Sequence, residues 1–137
     1  MTSLPINYDG FEIKGSDKKG RILVPARYNL KHQGIVVARR LIEFEGRIVP
    51  RVSCMPVKSF FAKEFLQKKQ NSALSNALFV DSKNRLVIED SYWSHIYLNP
   101  PCQYALLGMQ DCFDLYSQKN GHKISKKFLL DDLVKID

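Results

Sequence analysis

The chain has 137 residues, of which 45% are hydrophobic and 26% charged, a composition that can bury a core and stay soluble. Its formal net charge is +7, and its three cysteines (Cys54, Cys102 and Cys112) form no C-x-x-C pair, so neither a disulfide framework nor a zinc site is expected. No apolar run reaches the roughly 18–20 residues of a membrane span, and the first ten residues lack the features of a signal peptide, which predicts a cytoplasmic protein.

The first half of the chain begins with a predicted β-hairpin. A candidate strand, Gly10–Lys14, precedes a turn that starts at Asp17, and the apolar triplet Ile22–Val24 follows that turn. An aspartate at the start of a tight turn accepts backbone N–H bonds, and Gly20 tolerates the left-handed conformation that such a turn needs.

A short helix is predicted after this hairpin, because Pro25 suits a first helical turn and Gly34 suits a helix end. The rest of the half is predicted to contain two strands around a Glu-Gly turn and then an amphipathic helix: Ile35–Arg40, Ile48–Met55 and residues 57–69.

The second half repeats this order at an offset of 64 residues. The segments Asp17–Tyr28 and Asp81–Tyr92 share Asp, Lys, Arg and Tyr at matching positions, and an apolar triplet follows the arginine in each. Four identities in this window exceed the about one expected by chance from average composition. The elements predicted here are strands at Ala77–Val80, Leu86–Ile88, Tyr104–Gly108 and Phe113–Tyr116, and helices at residues 89–98 and 123–136.

Each half therefore has the pattern β-turn-β-α-β-β-α. The sequence predicts a first repeat over residues 10–70 and a second over residues 76–137, joined by the polar bridge 71–76. The two repeats are expected to form one compact, pseudo-symmetric, β-rich α+β domain.

The turn, the apolar strand, the short helix and the second hairpin together resemble the SpoVT/AbrB family of swapped-hairpin DNA-binding proteins. Two such units in one chain of this length resemble the MraZ family, which carries one Asp-x-x-x-Arg motif per repeat. The resemblance extends from about Phe11 to Tyr116. It implies a bacterial, nucleoid-associated transcriptional regulator that forms a ring-shaped homo-oligomer, binds repeated boxes in promoter DNA and controls a division and cell-wall gene cluster.

The candidate site consists of the two turns and the cations around them. The predicted DNA-binding residues are Arg21, Lys18, Lys19, Lys14, Arg27, Arg85 and Lys83, and the predicted turn-structuring residues are Asp17, Gly20, Asp81 and Asn84. For Arg21, the simpler alternative is an ion pair with Asp17 that only staples the turn. Both roles are compatible, with Asp17 orienting Arg21 for DNA.

The charge distribution favours the first turn as the DNA contact. Residues 1–70 hold 14 Lys/Arg and 6 Asp/Glu, a net +8, whereas residues 71–137 hold 7 Lys/Arg and 8 Asp/Glu, a net −1. Glu89 and Asp90 follow Arg85 where Pro25 and Ala26 follow Arg21, and carboxylates there would repel phosphate. The second turn is therefore predicted to be structural or auxiliary.

Other functions have weaker support in the sequence. An antitoxin-like protein would have one unit and a disordered tail, and a purely structural swapped-hairpin protein would keep the fold without binding promoter DNA. The three histidines have no metal-ligand spacing, and no nucleophile elbow, phosphate loop or carboxylate pair is evident. We therefore expect no enzyme activity, no metal, no cofactor and no small-molecule substrate.

Overall fold

The computed structural model describes the backbone of residues 8–57 and 78–135, and the side chains of residues 8–57 and 78–127. These residues form a β-rich α+β domain around a six-stranded antiparallel sheet that curls into a half-barrel. The eight strands in these two described ranges are, in chain order, β1 (Phe11–Gly15), β2 (Arg21–Leu23), β3 (Gly34–Phe44), β4 (Arg47–Pro56), β5 (Leu78–Phe79), β6 (Arg85–Val87), β7 (Gln103–Gly108) and β8 (Phe113–Tyr116).

The strand order of the large sheet is β1-β7-β8-β4-β3-β5. Exchanging each strand for its counterpart in the other half (β1 with β5, β3 with β7, β4 with β8) gives the same order read from the opposite edge. The outer strand β1 of the first half pairs with β7 of the second, and the outer strand β5 of the second half pairs with β3 of the first. The two central strands, β8 and β4, pair with Ser53 opposite Asp114. Neither half therefore completes the sheet by itself.

The remaining strands, β2 and β6, form a two-stranded antiparallel ribbon with Ile22 opposite Leu86 at its centre. Two backbone bonds extend it: Ile88 N–H donates to the Gly20 carbonyl at 3.0 Å, and Val24 N–H donates to the Asn84 carbonyl at 2.7 Å. These bonds match each other at the offset of 64 residues. The strand pairing of the two halves therefore has pseudo-two-fold symmetry. Its axis passes between Ile22 and Leu86 in the ribbon and between Ser53 and Asp114 in the sheet.

The main core lies between the ribbon and the inner face of the sheet. Ile22 and Leu86 point into it and are completely buried, and Trp93 packs beside Tyr104 with ring centroids 5.4 Å apart. Fully burying an aliphatic side chain contributes roughly 1.5–3 kcal/mol. Because an isolated two-stranded ribbon is marginally stable in water, this inward packing holds the ribbon on the domain.

The described residues of the second half contain two helices, one after β6 and one after β8. The first, α1 (Asp90–His95), carries Trp93, and the second, α2 (Gln118–Lys135), packs on the opposite face of the sheet through Ile124. The helix predicted over residues 89–98 ends early, and Tyr97 just beyond it has a positive φ of 63°. The C-terminal helix begins five residues before the predicted start at residue 123.

The helix predicted after Pro25 is wrong. Only a three-residue 3-10 turn, Ala26–Tyr28, forms there. Asn29 ends it in the left-handed conformation at φ 56°, and His32 is also left-handed at φ 63°. A right-handed helix cannot pass through two such residues, so the chain turns back at Asn29 and enters β3 at Gly34.

The predicted strands are confirmed in their positions, and Phe113–Tyr116 is confirmed at both ends. The strands β3 and β4 are longer than predicted, and they meet at the predicted turn Glu45-Gly46. The helix predicted over residues 57–69 and the bridge 71–76 lie outside the described residues, apart from Val57, which follows β4 in a turn.

Candidate nucleic-acid interface

The two Asp-x-x-x-Arg turns have the same hydrogen-bond pattern. In the first, Asp17 Oδ1 accepts the backbone N–H groups of Lys19 at 3.0 Å and Arg21 at 2.9 Å, and Oδ2 accepts Arg21 Nε. In the second, Asp81 plays the same part: Oδ1 accepts Lys83 N and Arg85 N at 2.9 and 2.8 Å, and Oδ2 accepts Arg85 Nε at 2.9 Å. Each aspartate thus both closes a turn and fixes its arginine.

The aspartates remain ionised in this arrangement. The backbone N–H of Arg21, followed by its guanidinium, lowers the pKa of Asp17, and Arg85 lowers the pKa of Asp81 in the same way. Hydrogen bonding to the carboxylate outweighs the opposing effect of partial burial. The arginines are therefore held by charged partners throughout the neutral pH range.

The turns depend on a left-handed residue directly before each arginine. Gly20 has φ +77° and Asn84 has φ 62°, as the sequence predicts for these two residue types. They differ in surroundings, because the indole of Trp93 lies against Gly20 and donates from Nε1 to the Ile88 carbonyl at 3.0 Å. In the first half, Asn29 follows Tyr28 where Trp93 follows Tyr92.

Substituting Gly20 by Ala is expected to lower the free energy of unfolding by about 2–4 kcal/mol. The new Cβ would lie 2.6 Å from the Ile88 carbonyl oxygen and 2.9 Å from Trp93 Nε1, in a backbone conformation that is itself strained for alanine. The matched control is Asn84→Gly, for which we expect a loss below about 1 kcal/mol. Urea unfolding measures both, and equal losses would contradict the assigned packing of Trp93 on Gly20.

The outward face of the ribbon brings the two arginines together. Side chains alternate along a strand, and directly paired residues share a face. Because Ile22 and Leu86 point inward, the four neighbours Arg21, Leu23, Arg85 and Val87 all point outward. Arg21 and Arg85 are diagonal neighbours, a relation that separates backbones by about 7–8 Å.

Each arginine has its outer end available. Its Nε is bound to the aspartate, and within the described residues neither guanidinium makes a further hydrogen bond through its two terminal nitrogens. About a third of each arginine side chain is exposed. The fixed Nε leaves the two terminal nitrogens as a pair of donors on a partly exposed side chain of the outward face.

The lysines of the candidate site fall into two groups. Lys18, Lys19 and Lys83 are exposed on the turns themselves, beside the arginines. In contrast, Lys14 forms an ion pair with Glu12 at 3.2 Å and also donates to the Leu23 carbonyl at 3.4 Å. Only the turn lysines are therefore placed on the same surface as the arginines without an acidic partner among the described residues.

Arg27 is also engaged elsewhere. It donates to the Asp9 carboxylate at 3.2 Å and to Glu12 at 3.1 Å, and it lies against the ring of Tyr28. Burial alone would raise the pKa of Glu12, but the hydrogen bonds from Arg27 and Lys14 lower it. The structure thus places Arg27 and Lys14 around one carboxylate rather than on the outward face of the ribbon.

The acidic residues after β6 lie at an unexpected end of the ribbon. They follow Arg85 in sequence, but β6 runs antiparallel to β2, so Ile88 reaches Gly20 in the first turn. Glu89 and Asp90 continue from that end, where α1 begins. The two carboxylates therefore give no positional reason to rank Arg85 below Arg21, because they leave the ribbon beside the first turn.

Sequence reasoning missed the aliphatic part of this surface. It treated Leu23 and Val87 only as members of apolar triplets and assigned them no place on a surface, but they are 49% and 48% exposed on the outward face. The strict alternation of a strand was the available signal, since a residue next to an inward Ile22 or Leu86 must point outward.

A comparison with protein-family models gave no match for this chain, and neither did a comparison with curated proteins. None of the helices in the described part of the chain has the length and hydropathy needed to cross a bilayer. The same part contains no group of three or more His, Cys, Asp or Glu residues arranged to hold a metal ion.

Proposed function

We propose that this chain is a sequence-specific DNA-binding transcriptional regulator of the MraZ type, with the outward face of the β2–β6 ribbon as its DNA contact. One observation carries the proposal: two aspartate-anchored arginines, one from each half, lie side by side on an exposed ribbon around a pseudo-two-fold axis. We interpret the exchange of outer strands between the halves as a tandem swapped hairpin.

The ribbon suits the major groove of duplex DNA. That groove is about 12 Å wide and admits a two-stranded ribbon, and an arginine there can donate two hydrogen bonds to guanine O6 and N7. The two free terminal nitrogens of Arg21 and Arg85 provide such a pair of donors, and the aspartates restrict the side chains before binding. Fixing a side chain in advance reduces the entropy lost on binding.

The turn lysines supply the phosphate contacts in this proposal. Lys18, Lys19 and Lys83 are exposed beside the ribbon, where they can reach the backbones that flank the groove. Such contacts set position and affinity, while the arginines read bases. The regulator would act in the bacterial cytoplasm at the nucleoid, on the division and cell-wall gene cluster that the family resemblance implies.

Self-association into a ring belongs to the same proposal. The β3–β4 hairpin extends beyond the three residues of β4 that pair with β8, and Leu41 and Ile48 are exposed on it. Exposed apolar side chains on a hairpin with open edges favour contact between copies. A ring would present several ribbons to repeated promoter boxes and raise a modest affinity through multivalency.

The salt dependence of DNA binding tests the proposal. Two labelled duplexes are each titrated with the full chain by fluorescence anisotropy. One comes from upstream of the gene, and the other is selected by the chain from a random pool. Three lysine–phosphate contacts per chain predict a log–log slope near about −2.7, so that a fourfold rise in salt weakens binding about 40-fold. Absence of saturable binding, or binding independent of salt, would refute the proposal and favour a structural role.

The matched variants remove the same charge from two surfaces. Replacing Lys18, Lys19 and Lys83 by Gln should abolish most of the salt slope. Replacing the exposed Lys119, Lys123 and Lys126 of α2, which lies across the sheet from the ribbon, should leave it unchanged. Equal effects would show that net charge, rather than the turns, governs binding.

A further inference from the structure

The two exposed aliphatic residues of the ribbon, Leu23 and Val87, each lie directly opposite one of the two arginines. In the ribbon register, Val87 is directly opposite Arg21 and Leu23 is directly opposite Arg85. Both are about half exposed, to 48% and 49%. A single exposed leucine or valine needs no explanation, but here two occupy equivalent positions in the halves and each adjoins an outward arginine.

We propose that Leu23 and Val87 read the C5-methyl groups of thymine, so that each arginine–aliphatic pair recognises a guanine together with a neighbouring thymine. This inference rests on the proposed function and names the specificity of the same surface. In the major groove, the thymine methyl group is the one apolar feature among the base edges, and apolar side chains are its natural contacts. Arginine takes the guanine beside it.

The geometry of the ribbon sets the arrangement of the site. Directly opposite residues on paired antiparallel strands have Cα atoms about 4.5–5.5 Å apart, close enough for one pair to address neighbouring bases. The pseudo-two-fold axis between Ile22 and Leu86 relates the Arg21–Val87 pair to the Arg85–Leu23 pair. One chain therefore recognises two guanine-and-thymine elements related as an inverted repeat.

Deoxyuridine provides a direct probe, because it keeps the Watson–Crick edge of thymine and lacks only the methyl group. The duplex is the one selected from a random pool by the full chain, prepared with thymine or with deoxyuridine at every thymine position. Burial of one methyl group corresponds to about fourfold in affinity. We therefore expect the unmodified chain to bind the deoxyuridine duplex about 15-fold more weakly if two methyl groups are contacted.

The variants assign that discrimination to the ribbon. The chain with Leu23→Ala and Val87→Ala should bind the two duplexes equally. The control with Phe79→Ala and Tyr97→Ala removes two exposed apolar side chains that lie outside the ribbon and should retain the full discrimination. Indirect effects of deoxyuridine on duplex stiffness would persist in both variants.

The outcomes separate this inference from the proposed function. If the unmodified chain binds both duplexes equally well, the methyl-reading inference fails and DNA binding stands. If discrimination persists in the Leu23/Val87 variant, the methyl groups are read elsewhere and the inference also fails. A fall in the solution mass of that variant with an unchanged thymine preference would assign the two residues to a protein interface instead. Absence of binding to any duplex refutes the proposed function itself.

Discussion

Replacing Asp114 by Asn is expected to lower the free energy of unfolding by about 3–5 kcal/mol, the cost of breaking a buried ion pair from one side. Asp114 is completely buried in β8. Its carboxylate accepts Ser53 Oγ at 2.7 Å, Arg51 Nη1 at 3.0 Å and the Tyr116 hydroxyl at 3.3 Å. Without the carboxylate charge, the guanidinium of Arg51, whose side chain is only 12% exposed, stays buried and unneutralised.

A double substitution separates the ion pair from the rest of the packing. Arg51→Met alone strands a buried carboxylate and should also be costly, whereas Arg51→Met with Asp114→Leu removes both charges. Apolar replacement of a whole buried pair is often neutral or stabilising, so the double variant should be less destabilised than the sum of the single changes. Urea unfolding of the three variants gives the coupling free energy, and strict additivity would contradict the assigned pair.

An exposed ion pair of the same chain is the control. Asp9 accepts Arg27 Nε at 3.2 Å, and the side chains of Arg27 and Asp9 are 45% and 79% exposed. Asp9→Asn should change the free energy of unfolding by less than about 1 kcal/mol. A loss comparable to that of Asp114→Asn would show that the assay does not report burial.

The position of the buried Arg51–Asp114 pair explains why the two halves are not identical. Ser53 and Asp114 face each other where the pseudo-two-fold axis crosses the sheet. If two copies of the second half paired there, two buried aspartates would meet, and two copies of the first half would bring together two Arg51 side chains. Like charges in a low-dielectric interior are strongly unfavourable. The Ser53–Asp114 contact with Arg51 therefore favours pairing of one half with the other.

The local parts of this structure could be predicted from the sequence. The turns at Asp17 and Asp81 are determined by local sequence. The aspartate, the left-handed residue and the arginine lie within five residues, and the aspartate accepts the backbone N–H of the arginine. Strand positions likewise follow from short apolar runs. The helix after Pro25 failed because the preference of Asn29 for the left-handed conformation, a single-residue property, ended it after one turn.

The long-range parts could not be predicted in the same way. The contact of Arg51 with Asp114 spans 63 residues and exists only because β4 pairs with β8, a pairing that no local pattern specifies. The position of Glu89 has the same origin. Glu89 follows Arg85 closely in sequence, but the antiparallel pairing of β6 with β2 brings the preceding residue, Ile88, to Gly20 in the first turn.

Arg21→Ala and Arg85→Ala should each weaken DNA binding by about 1–3 kcal/mol, the typical value of an arginine that contacts guanine. The charge distribution of the sequence predicts a smaller effect for Arg85. We instead expect similar losses, because the two arginines have the same aspartate anchor, the same free nitrogens and equivalent places on the ribbon. Anisotropy titrations at one fixed salt concentration measure both, with circular dichroism to check the fold.

Two further variants determine whether geometry or charge is responsible. Arg21→Lys keeps the charge but loses both the Nε contact to Asp17 and the paired terminal donors, so it should bind nearly as weakly as Arg21→Ala. Arg47→Ala removes one positive charge from the exposed tip of the β3–β4 hairpin and should have little effect. If the Arg21→Lys variant bound DNA with full affinity, Arg21 would be assigned a phosphate contact instead of a contact with guanine. A loss of DNA affinity in the Arg21 variant but not in the Arg85 variant would support the ranking by charge, because the symmetric ribbon predicts similar losses in both.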